Sequence, residues 1–320
     1  MEPLEYGYNL SSEEHSPNDL VKNARRAEEI GLDFALISDH YHPWLDRQGH
    51  SAFVWSVIGG IAHVTERLRL GTGVTCPIMR IHPAIIAQAA ATSAAMMPGR
   101  FFLGIGSGEN LNEHILGDHW PPAPIRLEML EEAVEIIRLL WEGEEASYYG
   151  TFYTVEDARI YTLPDELPPI YMASSGEISA QLAGRIADGL IGTAPLEKVM
   201  ENFDEGGGKG KPRYGKVDVC WAPSVEEGEN IAYEQWANTG VKGQLNQELA
   251  TPALIEQATT MVTKEDVTEN IACGPDPERL LQEISKYVDM GYDHIYFHQI
   301  GPNQDGFFEF FEKKIMPELR

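Results

Sequence analysis

The chain has 320 residues, 43% of them hydrophobic, and 50 acidic side chains against 24 basic ones leave a formal net charge of −26. That is apolar material for a large core, and α/β barrels of this length commonly form one unit. The charge excludes nucleic acid and anionic membranes as partners, and no apolar run is long enough to span a bilayer.

In chain order, a short apolar run is followed again and again by an amphipathic helix. Residues 4–10 read as a first strand, and Ser16-Pro17 opens a helix that runs to Ile30 and closes at Gly31. Residues 33–38 (DFALIS) and 53–66 form the second pair, 68–74 (LRLGTGV) and 83–97 the third, 101–105 (FFLGI) and 127–142 the fourth. The later pairs are 170–173 with 179–186, 189–193 with 196–203, 217–222 with 225–236, and 294–299 with 307–319. Short apolar strands bounded by turn residues mark parallel strands buried on both faces. About eight such units predict a (β/α)₈ TIM barrel, residues 1–320 forming one domain. A doubly wound sheet is the alternative, but no GxGxxG follows the first strand. Insertions are expected around 147–163 as a hairpin, around 204–215 with a flexible surface loop at 206–214, and around 241–268 with no assigned structure.

A barrel carries its site where its strands end. The second strand ends in Ser38-Asp39-His40-Tyr41-His42-Pro43-Trp44, where an imidazole beside a carboxylate suits proton transfer near neutrality. A polar turn with a packing Trp44 is an equal reading of that stretch. The third strand runs into Gly71-Thr72-Gly73-Val74-Thr75-Cys76, where glycine admits a planar ring to the backbone, or merely makes a tight loop. The fourth runs into Gly104-Ile105-Gly106-Ser107-Gly108-Glu109, without the GK[ST] of a phosphate loop. The fifth ends at Ala173-Ser174-Ser175-Gly176 before a helix start, a seat for a phosphate or an ordinary N-cap. Trp141 reads as core, and Glu131 and Glu132 as a solvated helix face. His114 and His119 lack spaced acidic partners, so no metal site is expected. Three isolated cysteines without a CxxC pair fit free thiols in a reducing cytoplasm. The acidic surface reads either as ordinary solubility or as adaptation to a salty cytoplasm.

Four separated segments, SDHYHPW (38–44), TCPIMRIHPAIIAQAAAT (75–92), PGRFFLGIGSGENLNE (98–113) and LEMLEEAVEIIRLLW (127–141), together resemble the luciferase-like flavin superfamily. Within it they are most similar to coenzyme F420-dependent dehydrogenases, those of glucose 6-phosphate first and those of secondary alcohols next. The resemblance implies a deazaflavin across the barrel mouth, contacted by Asp39, Cys76, Ser107 and Asn112, with FMN as the alternative cofactor. It implies a non-prolyl cis peptide at Gly73-Val74 and a cofactor phosphate on Ser175-Gly176. It further implies hydride transfer between the carbinol carbon of an alcohol, sugar or sugar phosphate and C5 of the deazaflavin, with His40 as general base oriented by Asp39. Trp44 would place the substrate, and Glu109 would exchange a proton with the reduced ring. Should His40 not be the base, His42 and then His298 are next. Thr193 matches the family's phosphate-binding Thr, but Leu196, Asn246 and Asn270 stand where basic side chains are expected, with Lys198 two residues beyond the first. Glucose 6-phosphate is therefore not the expected substrate. Family members are usually homodimers, and the same is expected here.

Overall fold

The computed structural model describes residues 4–319. In chain order its strands are β1 (Glu5–Leu10), β2 (Phe34–Ile37), β3 (Arg69–Thr72), β4 (Phe101–Ile105), β5 (Ala146–Tyr149), β6 (Thr154–Ala158), β7 (Ile170–Ala173), β8 (Gly189–Gly192), β9 (Arg213–Cys220), β10 (Ala272–Cys273) and β11 (His294–Gln299). Neighbours run β1-β2-β3-β4-β7-β8-β9-β11, and β11 pairs back onto β1, so eight parallel strands close a barrel. The antiparallel β5–β6 hairpin stands apart, and β10 adds two residues beside the end of β9.

Alternation along each strand divides two layers of core. Tyr214 of β9 turns into the barrel with Phe34, Leu36, Phe102, Tyr171, Ile191 and Tyr296. Val217 and Val219 turn outward among the helix residues. The inward set is a largely aromatic plug, and Gly7 and Gly71 leave room for the Phe34 and Phe102 rings. Outside, the helix Pro17–Glu29 starts where the sequence says it should. Ser16 accepts from Asp19 N at 3.3 Å, Pro17 occupies the first turn, and Leu20, Ala24 and Ala27 face the barrel.

All eight expected strands are the barrel strands. Two expectations require correction, and two stretches without an assignment gain one. The expected surface loop at 206–214 shrinks to 209–212: Asp204–Gly208 is a wide helical turn, and Tyr214, fully buried, already belongs to β9. The segment 241–268 holds three short helices, Leu245–Glu248, Pro252–Thr259 and Lys264–Thr268. Strand β10 and the helix Pro277–Asp289 follow it and lack any counterpart in the expected series. Finally, Glu132 is no surface residue. It is buried and accepts from Thr151, Phe152 and Tyr153 N at 2.9–3.2 Å, tying the hairpin to the helix Ala123–Leu140. Trp141 is core as expected, its indole N–H donating to Ala87 O at 2.9 Å.

Candidate active site at the barrel mouth

Above the aromatic plug, Val74 and Ala173 remain partly open and form an apolar floor. Two glycines keep it flat. A Cβ on Gly104 would collide with the Thr72 carbonyl oxygen, and one on Gly106 would lie 2.7 Å from Val74 Cγ2. Gly108 has φ +72° and its Cβ would strike Cys76 Sγ, so no larger residue fits there. The Gly73–Val74 peptide is cis, as the resemblance implied. Ser107 and Glu109 stay half-buried beside this floor, while Cys76 is buried, its thiol pushed well up by burial and by Glu113. Across the floor, Ser175 and Gly176 are exposed at the N-terminus of the helix Glu177–Ile186, and the Gly176 N–H donates to Ser179 Oγ at 3.3 Å. Thr193, beyond the end of β8, is exposed.

The β2 end is fixed by polar brackets. Asn112 is buried, and its Oδ1 accepts from Tyr41 N at 2.9 Å and His42 N at 3.1 Å, while its Nδ2 points to Glu109 Oε2 at 3.5 Å. One side chain thus links the His40 turn to Glu109. Asp39 is buried as well. Its Oδ2 accepts from Thr75 Oγ1 at 2.7 Å and its Oδ1 from Arg80 Nη2 at 2.8 Å. Arg80 also donates its backbone N–H to Glu113 Oε2 at 2.9 Å. Burial pushes the Glu113 carboxyl up to about 7, against the pull of Arg80.

His40 and Trp44 come together, their ring centroids 5.1 Å apart and inclined at 64°. The partner of His40 differs from expectation. Asp39 is committed to Thr75 and Arg80, and His40 Nδ1 instead lies 3.2 Å from Glu13 Oε1, an ion-pair distance at an angle outside hydrogen-bond geometry. Glu13 is buried, and its other oxygen accepts from Ser38 Oγ at 2.6 Å and Ser11 Oγ at 3.0 Å. The signal was present in sequence, since Glu13 follows the end of β1 in SSEE as His40 follows β2.

Of the two substitute bases, His298 has both ring nitrogens engaged, whereas His42 is held at Nδ1 alone. His42 Nδ1 donates to Leu111 O at 2.8 Å, and the ring stacks on His114 at 5.9 Å. His298 is buried with Nδ1 2.8 Å from Asp218 Oδ1 and Nε2 3.0 Å from Glu14 Oε2. Burial works against its charge, yet these two carboxylates hold its pKa above the ordinary imidazole value. An imidazole with both nitrogens taken and its cation favoured has no lone pair to offer a substrate. Sequence reasoning also missed Arg80, Glu14 and Asp218. No group of side chains suited to a metal ion occurs among the described residues.

A parallel barrel with a floored mouth, ringed by acid, base and indole side chains, defines an enzyme of the class whose site lies at the strands' C-terminal ends. More particularly, the chain belongs to the luciferase-like monooxygenase family, whose model matches residues 4–294. An F420-dependent glucose-6-phosphate dehydrogenase from Microbacterium testaceum is 37% identical over 329 residues, covering 99% of this chain and 98% of that protein. One from Mycobacterium avium is 35% identical over 335 residues, covering 100% and 99%. Among solved structures, an F420-dependent secondary alcohol dehydrogenase in complex with an F420–acetone adduct has a TM-score of 0.92 at 30% identity, with 99% of each chain covered. The F420-dependent tetrahydromethanopterin reductase of Methanopyrus kandleri shares the fold, with a TM-score of 0.81 at 20% identity over 99% of this chain and 100% of that one.

Proposed function

We propose that this protein is an F420-dependent dehydrogenase acting on the CH–OH group of an alcohol or sugar. The observation that carries the proposal is the His40 imidazole set between Glu13 and Trp44 at the rim of an apolar, glycine-flattened floor. The residues present fit a tricyclic ring: Val74 and Ala173 give it an apolar surface, and the exposed helix start at Ser175 and Gly176 suits the phosphate of its side chain once it takes the place of Ser179 Oγ on the Gly176 N–H. When bound, the deazaflavin supplies a two-electron hydride acceptor at C5.

The chain's own residues supply geometry and proton handling. Glu13 faces Nδ1 of His40, which leaves Nε2 as the nitrogen that takes the hydroxyl proton as hydride departs from the same carbon. Trp44 walls the substrate against the imidazole. Glu109, held through Asn112, exchanges a proton on the cofactor side. Ser107 and Cys76 line the ring's edge. Asp39, committed to Thr75 and Arg80, shapes that edge rather than orienting His40, while Asn112 fixes the turn that carries His40. Thr193 faces the substrate. Near Thr193 the basic side chain closest in sequence, Lys198, lies 3.4 Å from Glu177 in an exposed pair.

The test is a fluorescence titration with the deazaflavin, followed by addition of alcohols and sugars. Saturable binding and loss of the oxidised cofactor's visible absorbance with one of them are expected. Failure to bind the deazaflavin, with retention of FMN and oxygen consumption instead, would replace the proposal with a flavin monooxygenase.

The same proposal extends to one domain acting as a cytoplasmic homodimer, supported by the resemblance and by exposed Phe53 and Ile85 at adjacent helix starts. Light scattering that gives a monomer mass would exclude the dimer. A salt-adapted host is supported by the net charge of −26. Unfolding temperatures indifferent to molar salt would exclude that.

A further inference from the structure

On β9, the residues that alternate with Val217 and Val219 turn into the barrel, and above Tyr214 these are Lys216 and Asp218. They lie on the β9–β11–β1 side of the mouth, away from the floor of Val74 and Ala173. Lys216 Nζ is 3.1 Å from Asp218 Oδ1, and each side chain keeps 18% of its surface open. Two observations tie the pair to the proposed substrate space. Asp218 binds His298, which binds Glu14, the neighbour of the Glu13 that faces His40. Lys216 Nζ also stands 5.8 Å over the Trp236 ring, and Trp236 belongs to the apolar cluster on which Trp44 packs.

The pair is chemically unfinished. Both cations meet Asp218 on the same oxygen, His298 Nδ1 at 2.8 Å and Lys216 Nζ at 3.1 Å from Oδ1. Among the described residues nothing hydrogen-bonds Asp218 Oδ2, and the ammonium has no second acceptor. An acceptor oxygen therefore sits beside unspent ammonium N–H groups, partly open to the mouth. Charge is balanced along the chain, with Lys216 and His298 against Asp218 and Glu14, so no net field draws an anion. A donor and an acceptor side by side match a hydroxyl, which is both at once.

We propose that Lys216 and Asp218 are a specificity-determining pair that binds a hydroxyl of the substrate other than the reacting one, so that the substrate is an uncharged polyol or sugar. This rests on the dehydrogenase proposal above and names its substrate class. Such sites discriminate strongly, because a substrate lacking the hydroxyl leaves desolvated polar groups unpaired.

The experiment compares glucose and glycerol with 2-propanol on the holoenzyme, wild type and Lys216→Gln, with Lys216→Arg as the conservative variant. Wild type is expected to favour a polyol in kcat/KM by at least about tenfold. Lys216→Gln should lower polyol kcat/KM by at least about tenfold, mostly through KM, and lower that of 2-propanol far less, with Lys216→Arg recovering part of the loss. Independently of turnover, saturation-transfer NMR of glucose should show contacts in wild type that weaken in Lys216→Gln. Deazaflavin affinity and thermal midpoint, measured in parallel, establish that the variants are folded. Efficient 2-propanol turnover without preference for polyols, or a Lys216→Gln loss equal for all substrates, would overturn the pair's role while leaving the dehydrogenase intact. Absence of deazaflavin binding would overturn both.

Discussion

Around the mouth, the β3–β4–β7 half and the β9–β11–β1 half are made of different materials. The first is glycine, Val74 and Ala173 over a cation, Arg80, held by Asp39 and Glu113. The second is a file of alternating charges, Lys216, Asp218, His298 and Glu14, ending beside Glu13 and His40. A flat apolar floor suits a planar ring, and a charge-balanced polar wall suits a substrate with hydroxyl groups. Division of the mouth into a stacking half and a hydrogen-bonding half lets one barrel end hold two unlike molecules face to face.

Removal of the keystone of the first half has the largest expected effect on stability. Arg80→Ala leaves the Asp39 and Glu113 carboxyls buried without their cation, and loss of about 3–5 kcal/mol of unfolding free energy is expected by denaturant titration. A loss under about 1 kcal/mol would mean the bracket is not what holds this half.

A pH titration separates the halves more finely. Glu113 has its pKa raised from 4.5 to about 7, so its contribution to stability is complete below 4.5 and is lost as pH climbs to 7, amounting to up to about 3 kcal/mol. His298, raised above 6.5, behaves alike: its contribution is present below 6.5 and vanishes as pH rises through its folded value. Asp218, drawn down to about 2, contributes above 3.8 and fails as pH falls toward 2. Glu113→Gln should flatten the decline between pH 4.5 and 7 and leave the more alkaline His298 limb in place. An unchanged profile would place the titrating group elsewhere.

The smallest of these effects lies where the halves meet. Glu13→Gln should lower kcat by about ten- to a hundredfold, the range of one charge-assisted contact, with little change in deazaflavin affinity. Equal losses in kcat and affinity would instead make Glu13 a structural part of the floor.

The two halves were also unequally legible in the sequence. The first is written in short local strings, such as GIGSGENLNE, where residue types and strand ends lie within ten positions of one another. The resemblance that points to His40, Trp44 and Glu109 rests on such strings, and all eight barrel strands were readable too, each short and apolar between turn residues. The second half is assembled across the whole chain. His298 reaches Glu14 over 284 positions and Asp218 over 80, and no spacing rule announces such contacts. Proximity in sequence misled once, when Asp39 was assigned to its neighbour His40. Successive side chains at a strand end point in opposite directions, so the neighbour turned to Arg80 and Thr75 instead. The segment 241–268 was opaque because its helices are short and pack by a few apolar contacts, Ile255 against the cluster of Leu45 and Leu111, rather than by a sustained period.

The most direct test of the account is a comparison of wild type and His40→Ala, with deazaflavin affinity and alcohol-driven reduction of the cofactor measured on the same preparations. Reduction should slow by about two to four orders of magnitude while affinity stays within a few fold, the behaviour of a general base outside the ring's binding surface. Reduction at the wild-type rate would contradict it and pass the role to His42, held at Nδ1 alone, since His298 is bound at both nitrogens.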